Sequence, residues 1–239
     1  SGKSFTAYCP LITDPYIHMT GMRIEGGGIP GEGFGNWREH MQEHNRIFTA
    51  WLEELVQQYE PDAFWFDCWG GMEKEMVAAG VEPLELFDFE RLWAPIHRRL
   101  PQCLIGNKRV YTPDVDYLNC EMLFHTHFDE PLEGVGVPAE ASDCLPQCNW
   151  FATTLEDPPL PPQKEINAWI RRYLHRLISC AGRGINYLLN TGPLPNGSLQ
   201  SLEVAILQGM GAWLAKHERT LMGTRRSRFV PGSWGYAVD

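Results

Sequence analysis

The order of elements along the chain predicts an α/β fold: a shortened or incomplete (β/α)8 (TIM-type) barrel with about six strands. Three observations carry this. Continuous apolar runs such as Ala63–Cys68 and Ile185–Asn190 read as strands buried on both faces. Segments with apolar residues three and four apart alternate with those runs, as helices covering a parallel sheet would. Successive strands end in charge, at Asp67, Arg109 and Glu121, and the C-terminal strand ends of such barrels carry the active site.

Each element has its own reason. Phe5–Pro10 is a short apolar and aromatic strand. Seven glycines between Gly21 and Gly35 rule out a regular element there and mark a long loop. From Asn36, Trp37, Met41, His44, Phe48, Trp51, Leu52, Leu55 and Tyr59 trace one helical stripe, with Asn36 as N-cap, Glu39 three residues on, and Pro61 as the stop. Ala63–Cys68 is the next strand. Leu84–Leu100 reads as a helix interrupted at Pro95, and Cys103–Gly106 as a short strand delivering Asn107-Lys108-Arg109. Tyr117–Met122 and Asn149–Thr154 are read as further strands. Glu165–Ala181 is a strong amphipathic helix closed by Gly182 and Gly184. Ile185–Asn190 is a buried strand, Pro193–Gly197 a turn, and the last helix runs from about Ser201 to Leu221. No repeat and no linker divides the chain, so residues 1–239 read as a single domain.

Composition excludes several classes. With 20 Lys+Arg against 30 Asp+Glu the net charge is −10, and no basic run is present to neutralise nucleic-acid phosphates or dock on an anionic membrane. No apolar stretch reaches the ~18–20 residues of a membrane span. No signal peptide is visible, so the expected location is cytoplasmic. Seven cysteines, most within apolar runs, read as buried free thiols rather than a disulfide framework or a zinc site. A His125-x-His127-x-Asp129 run reads equally well as a polar loop. Nine tryptophans exceed the usual share; most belong in a core, but indoles also cover the apolar faces of sugars.

The sharpest residue is Asp67, between Phe64-Trp65-Phe66 and Cys68-Trp69-Gly70-Gly71. A carboxylate among aromatics requires hydrogen bonds or a cation, and Arg109 at the next strand end is the candidate to hold it ionised. Glu121, one strand further, would be a second carboxylate, and paired carboxyls are the equipment of glycoside hydrolysis. Either residue taken alone could equally start a solvated loop.

At this point the chain resembles the α-L-fucosidases of glycoside hydrolase family 29. The matching residues are Tyr59-Glu60-Pro61, Trp65-Phe66-Asp67, Asn107-Lys108-Arg109 and Asp116-Tyr117-Leu118-Asn119-Cys120-Glu121. Further on are Asn186-Tyr187-Leu188-Leu189-Asn190-Thr191-Gly192-Pro193 with Asn196-Gly197, then Trp213-Leu214 and Gly223-Thr224-Arg225. The resemblance spans roughly residues 5 to 235. It implies Asp67 as nucleophile, Glu121 as acid/base, and Trp65, Arg109 and Tyr8 as sugar-binding residues. Ala139-Glu140 stands where the family has Trp-Glu, which makes Glu140 the second candidate for acid/base or substrate binding. Departures are Cys68 in place of Gly, Cys120 in place of Pro, and no His-Trp or His-His pair anywhere. Phe5-Thr6-Ala7-Tyr8 is similar to the family's fourth strand, so the chain starts where a full barrel would be half built.

The function implied is a retaining exo-α-L-fucosidase acting on a fucosylated oligosaccharide or glycoside, with no metal or organic cofactor. The alternatives are a carbohydrate-binding barrel without turnover and a hydrolase of another sugar. Six strands leave sheet edges open, which predicts an obligate homo-oligomer that completes the barrel or the site. His18, His40, His125 and His127 are candidate substitutes for the missing family histidines.

Overall fold

The structure is a computed structural model that describes residues 4–10, 37–67, 87–108, 115–121, 137–146, 148, 150, 154–225 and 238. Six strands follow one another in the sheet in chain order: β1 (Thr6–Pro10), β2 (Ala63–Asp67), β3 (Leu104–Lys108), β4 (Tyr117–Glu121), β5 (Ala139–Cys144) and β6 (Ile185–Asn190). Four α-helices accompany them among the described residues: α1 (Trp37–Tyr59), α2 (Phe89–Arg99), α3 (Gln163–Arg183) and α4 (Ser201–His217). The fold is α/β, an incomplete TIM-type barrel. The chain gathers into two compact units, Ser1–Leu118 and Asn119–Asp239.

In the first unit β1 pairs with β2 and β2 with β3, both in parallel. Side chains alternate across β2. Phe64 and Phe66 are fully buried on one face, where Phe66 meets Trp93 of α2 at 4.4 Å and Phe48 of α1 at 6.3 Å between ring centroids. Leu52, Leu92 and Ile96 are buried with no exposure in the same helices. The opposite face carries Trp65 and Asp67, away from the packed helices. Asp88 caps α2 by accepting the Arg91 N–H at 3.1 Å. Pro95 lies inside α2 and does not interrupt it. An interior proline loses the N–H bond to the carbonyl four residues back and crowds that carbonyl, yet the helix runs on to Arg99.

In the second unit β5 and β6 pair in parallel. The core gathers Leu145, Cys148, Ile166, Tyr173, Leu174, Leu202, Ile206 and Met210. The helix α3 ends on Gly184 at φ 71°, a left-handed cap whose N–H returns to Ala181 O at 3.0 Å. The N-terminus of α4 is held by the Asp157 carboxylate, which accepts the Ser201 N–H at 2.9 Å and the Ser201 hydroxyl. Those two bonds hold Asp157 below its ordinary carboxylate range, and a negative charge is favourable at a helix N-terminus.

Several boundaries differ from the sequence reading: Phe87 and Asp88 precede α2 rather than lying within it, α4 ends at His217 rather than Leu221, and two strands are set differently. The strand before α3 is Ala139–Cys144, while Trp150 is in a turn and Thr154 lies outside any strand. Ala-Glu-Ala-Ser-Asp-Cys has small and polar side chains, so an apolar-run criterion passes over it. The third strand extends to Lys108 rather than ending at Gly106, which places Asn107 and Lys108 within the sheet. The expected Gly21–Gly35 loop, His18, His125 and His127 lie outside the described residues, as does the side chain of His40. No helix among the described residues is long and apolar enough to cross a membrane. Cys9, Cys103, Cys148 and Cys180 are buried free thiols, and Cys120 is buried as well. Burial pushes the Cys9 thiol up to about 12, where little thiolate exists to react.

Candidate active site

Parallel register brings the candidate residues of the first unit together. Tyr8 pairs with Trp65 and Trp65 with Gly106, so one row crosses three strands. One step on along the same face, Pro10 pairs with Asp67. Asp67, the last residue of β2, is 8% exposed. The Tyr8 hydroxyl donates to Asp67 Oδ2, and Lys108 Nζ lies 2.7 Å from Asp67 Oδ1. Tyr8 and Trp65 are stacked with centroids 5.5 Å apart and ring planes 25° apart. A carboxylate with a different donor on each oxygen is fixed in rotation and favoured in its charged form. An aromatic platform at its side offers an apolar surface to a sugar ring.

Gly106 shows how tightly this row is packed. A Cβ built there would lie 2.0 Å from Cζ of the Tyr117 ring. Only glycine therefore lets the Tyr117 side chain from β4 lie across β3 at Gly106. Asp116 ties the same two strands, accepting the Ile105 N–H at 2.7 Å while its own N–H donates to Ile105 O at 2.8 Å.

Among the described residues a cation on Asp67 is Lys108, which the sequence reading passed over. Arg109, the residue expected in that role, lies outside the described residues. The missing signal was the end of β3. Phe66 pairs with Asn107, so the next residues, Asp67 and Lys108, fall side by side once the strand is carried past Gly106. Period-two alternation from Gly106 then sets Lys108 on the face of Trp65 and Asp67.

In the second unit Glu121 is the last residue of β4, and its side chain is outside the described set. Glu140 is the second residue of β5, at the start of its strand. It accepts Asn119 Nδ2 at 2.9 Å on one oxygen and Asn186 Nδ2 at 2.7 Å on the other. Ser142 Oγ donates to Asn119 Oδ1 at 3.0 Å. On the helix-facing side, Asp143 is buried and meets the Arg176 guanidinium and, at 2.9 Å, the Tyr187 hydroxyl. Burial, with the Asp143 charge behind it, raises the Tyr187 phenol well above its ordinary value, so that proton stays in place. Among the described residues no group of three or more His, Cys, Asp or Glu side chains is arranged to hold a metal ion.

Comparison with known proteins places these features in context. A family model described as Alpha-L-fucosidase matches residues 32–219. The solved structure of alpha-L-fucosidase isoenzyme 1 from Paenibacillus thiaminolyticus is 21% identical with a TM-score of 0.57, covering 83% of this chain and 45% of that one. The Thermotoga maritima alpha-fucosidase in complex with fucose is 22% identical with a TM-score of 0.53, covering 82% of this chain and 38% of that one. A curated relative, cytochrome b5 reductase 4 of Danio rerio, is 26% identical over 148 residues, 58% of this chain and 28% of its own length. The chain thus spans less than half the length of each of these relatives.

Proposed function

Because this chain belongs to the α-L-fucosidase family, we propose that it works as a retaining exo-α-L-fucosidase on fucosylated oligosaccharides or glycosides. One observation carries the reading. Asp67, at the end of β2 beside the Tyr8–Trp65 stack, has one oxygen on an ammonium and the other on a phenol. That is the preparation a carboxylate nucleophile needs: ionised, oriented and partly desolvated.

In the first step an Asp67 oxygen attacks the anomeric carbon, and the bond from that carbon to the leaving oxygen breaks. Glu121 gives its proton to that oxygen. In the second step Glu121, now a carboxylate, takes a proton from water. The resulting hydroxide oxygen attacks the anomeric carbon, and the Asp67 ester bond breaks. Retention requires the two carboxyls ~5–5.5 Å apart. Trp65 packs on the apolar face of fucose, and Tyr8 and Arg109 complete the sugar contacts. Glu121 is preferred over Glu140 as acid/base because it closes its strand, where barrels carry chemistry. Glu140 lies near the start of its strand and is already engaged by two amides.

The reading includes an obligate homo-oligomer. Phe5, just before β1, is 51% exposed, and Leu188 on β6 is 42% exposed, apolar surface that a second copy would cover. Light scattering after size exclusion tests this, and an active stable monomer contradicts it. The test of the activity is nitrophenol release from α-L-fucoside against a panel of other glycosides, with the first-formed anomer read by proton NMR. Release from the α-L-fucoside with α-L-fucose formed first is expected. A first-formed β anomer would contradict retention, preference for another glycoside would contradict the sugar assignment, and binding without release would contradict the enzyme reading.

A further inference from the structure

We propose that Lys108 is a positioning residue for Asp67: the ammonium on β3 fixes one carboxylate oxygen and keeps the group charged for attack, while Tyr8 on β1 fixes the other. The inference rests on the reading of Asp67 as nucleophile. Its own ground is geometric. Lys108 Nζ is 2.7 Å from Asp67 Oδ1, and the two side chains are only 16% and 12% exposed. An ion pair this far out of water is screened weakly, unlike a surface pair. It is also held by the sheet itself, since the paired residues Phe66 and Asn107 precede Asp67 and Lys108 in adjacent strands.

Tyr8 and Lys108 face the carboxylate from the two strands flanking β2. Their effects differ in kind. The phenol is neutral and orients; the ammonium both orients and favours the charged form. During attack one Asp67 oxygen loses negative charge as its bond to carbon forms. A cation on the carboxylate therefore holds the reactant in place and must then release part of its attraction. Lys108 contributes by populating the ionised, correctly rotated carboxylate, and this effect is greatest at acidic pH, where an unassisted carboxyl would begin to protonate.

The test uses the full chain with [13Cγ]Asp, wild type and the variants Lys108→Met and Lys108→Arg, with Asp67→Asn to assign the Asp67 signal. Circular dichroism melting establishes that each variant is folded. The Asp67 titration midpoint, read from the carboxyl shift, is expected to rise by about one unit or more in Lys108→Met, the size of effect an adjacent opposite charge has on a carboxyl. Lys108→Arg should return it toward wild type. In parallel, the rate of labelling by 2-deoxy-2-fluoro-α-L-fucosyl fluoride is followed by mass spectrometry. The adduct should map to Asp67 and form ~10–100-fold more slowly in Lys108→Met, as loss of a charged hydrogen bond of this kind implies. An unchanged midpoint in folded Lys108→Met would overturn the proposal directly. A raised midpoint with no wild-type adduct on Asp67 would overturn the nucleophile reading and with it the catalytic role of Lys108, leaving only the ion pair.

Discussion

Asp67 in the first unit and Glu140 in the second are both carboxylates on the strand face turned away from the helices, and both have a partner on each oxygen. Asp67 closes β2 and meets an ammonium and a phenol. Glu140 is second in β5 and meets two neutral amides, from Asn119 and Asn186. The amides tie β5 to the strands on either side and give each carboxylate oxygen a donor. The ammonium does more, because it makes the charged form the favoured one. A carboxylate bridged by side-chain amides at a strand start secures the sheet. One paired with a cation at a strand end, beside stacked aromatics, is prepared to react.

The comparison breaks most easily through function. Asp67→Gly is expected to lower kcat by at least about a thousandfold, as loss of a nucleophile does, in a variant that still folds but melts lower because Lys108 loses its partner. Glu140→Gln should do the reverse. It sets a Gln NH2 against one Asn NH2, costs about 1–3 kcal/mol of stability, and leaves the dependence of rate on leaving group unchanged. That dependence should steepen in Glu121→Ala, since acid assistance matters most for poor leaving groups. If Glu140→Gln steepens it and Glu121→Ala does not, the roles of the two glutamates are exchanged.

A second variant sharpens the contrast between the charge in the site and the charge in the core. Arg176→Met strands the buried Asp143 carboxylate without its cation. Urea unfolding should show a loss of about 3–5 kcal/mol, the usual result of breaking a buried pair from one side. Gly106→Ala, in the row beneath Asp67, forces the Tyr117 ring away and should cost about 1–3 kcal/mol by overpacking.

The smallest effect is one of sign. Glu203 is buried with no exposure and accepts the Gly192 N–H at 3.3 Å on each oxygen. Burial raises its pKa above the ordinary value and the Gly192 bond only partly opposes this. The folded state therefore holds the Glu203 proton more tightly than the unfolded chain. Its contribution to stability falls as pH rises from the ordinary Glu value, ~4.3, up to the raised folded value. Glu203→Gln should thus compare better with wild type at pH 7 than at pH 4 in parallel urea titrations.

The sequence was legible where side chains are large and periodic. Phe48 and Leu52 of the expected α1 stripe are buried, although Tyr59 at its end is exposed and Val56, which the stripe left out, is buried; Phe64 and Phe66 bury one face of β2. Asp67 stood out because aromatics flank it, and the structure sets a cation on it. What the sequence hid is where polar atoms are satisfied by strands distant in the chain. β5 is unreadable as a strand because Glu140, Ser142 and Asp143 are accommodated by Asn119, Asn186, Arg176 and Tyr187, partners that only the fold supplies. Lys108 was hidden for a related reason. Its role depends on one further residue of strand, and strand ends are set by pairing rather than by propensity.

The account stands on Asp67 as the nucleophile, and the anomer formed on azide rescue tests that most directly. Asp67→Gly supplied with azide and an activated α-L-fucoside should regain turnover and yield β-L-fucosyl azide, because azide enters from the side the carboxylate has vacated. Glu121→Ala under the same conditions should yield the α azide, formed through the intact Asp67 ester. An α azide from Asp67→Gly, or wild-type turnover of that variant with no azide added, would contradict the assignment.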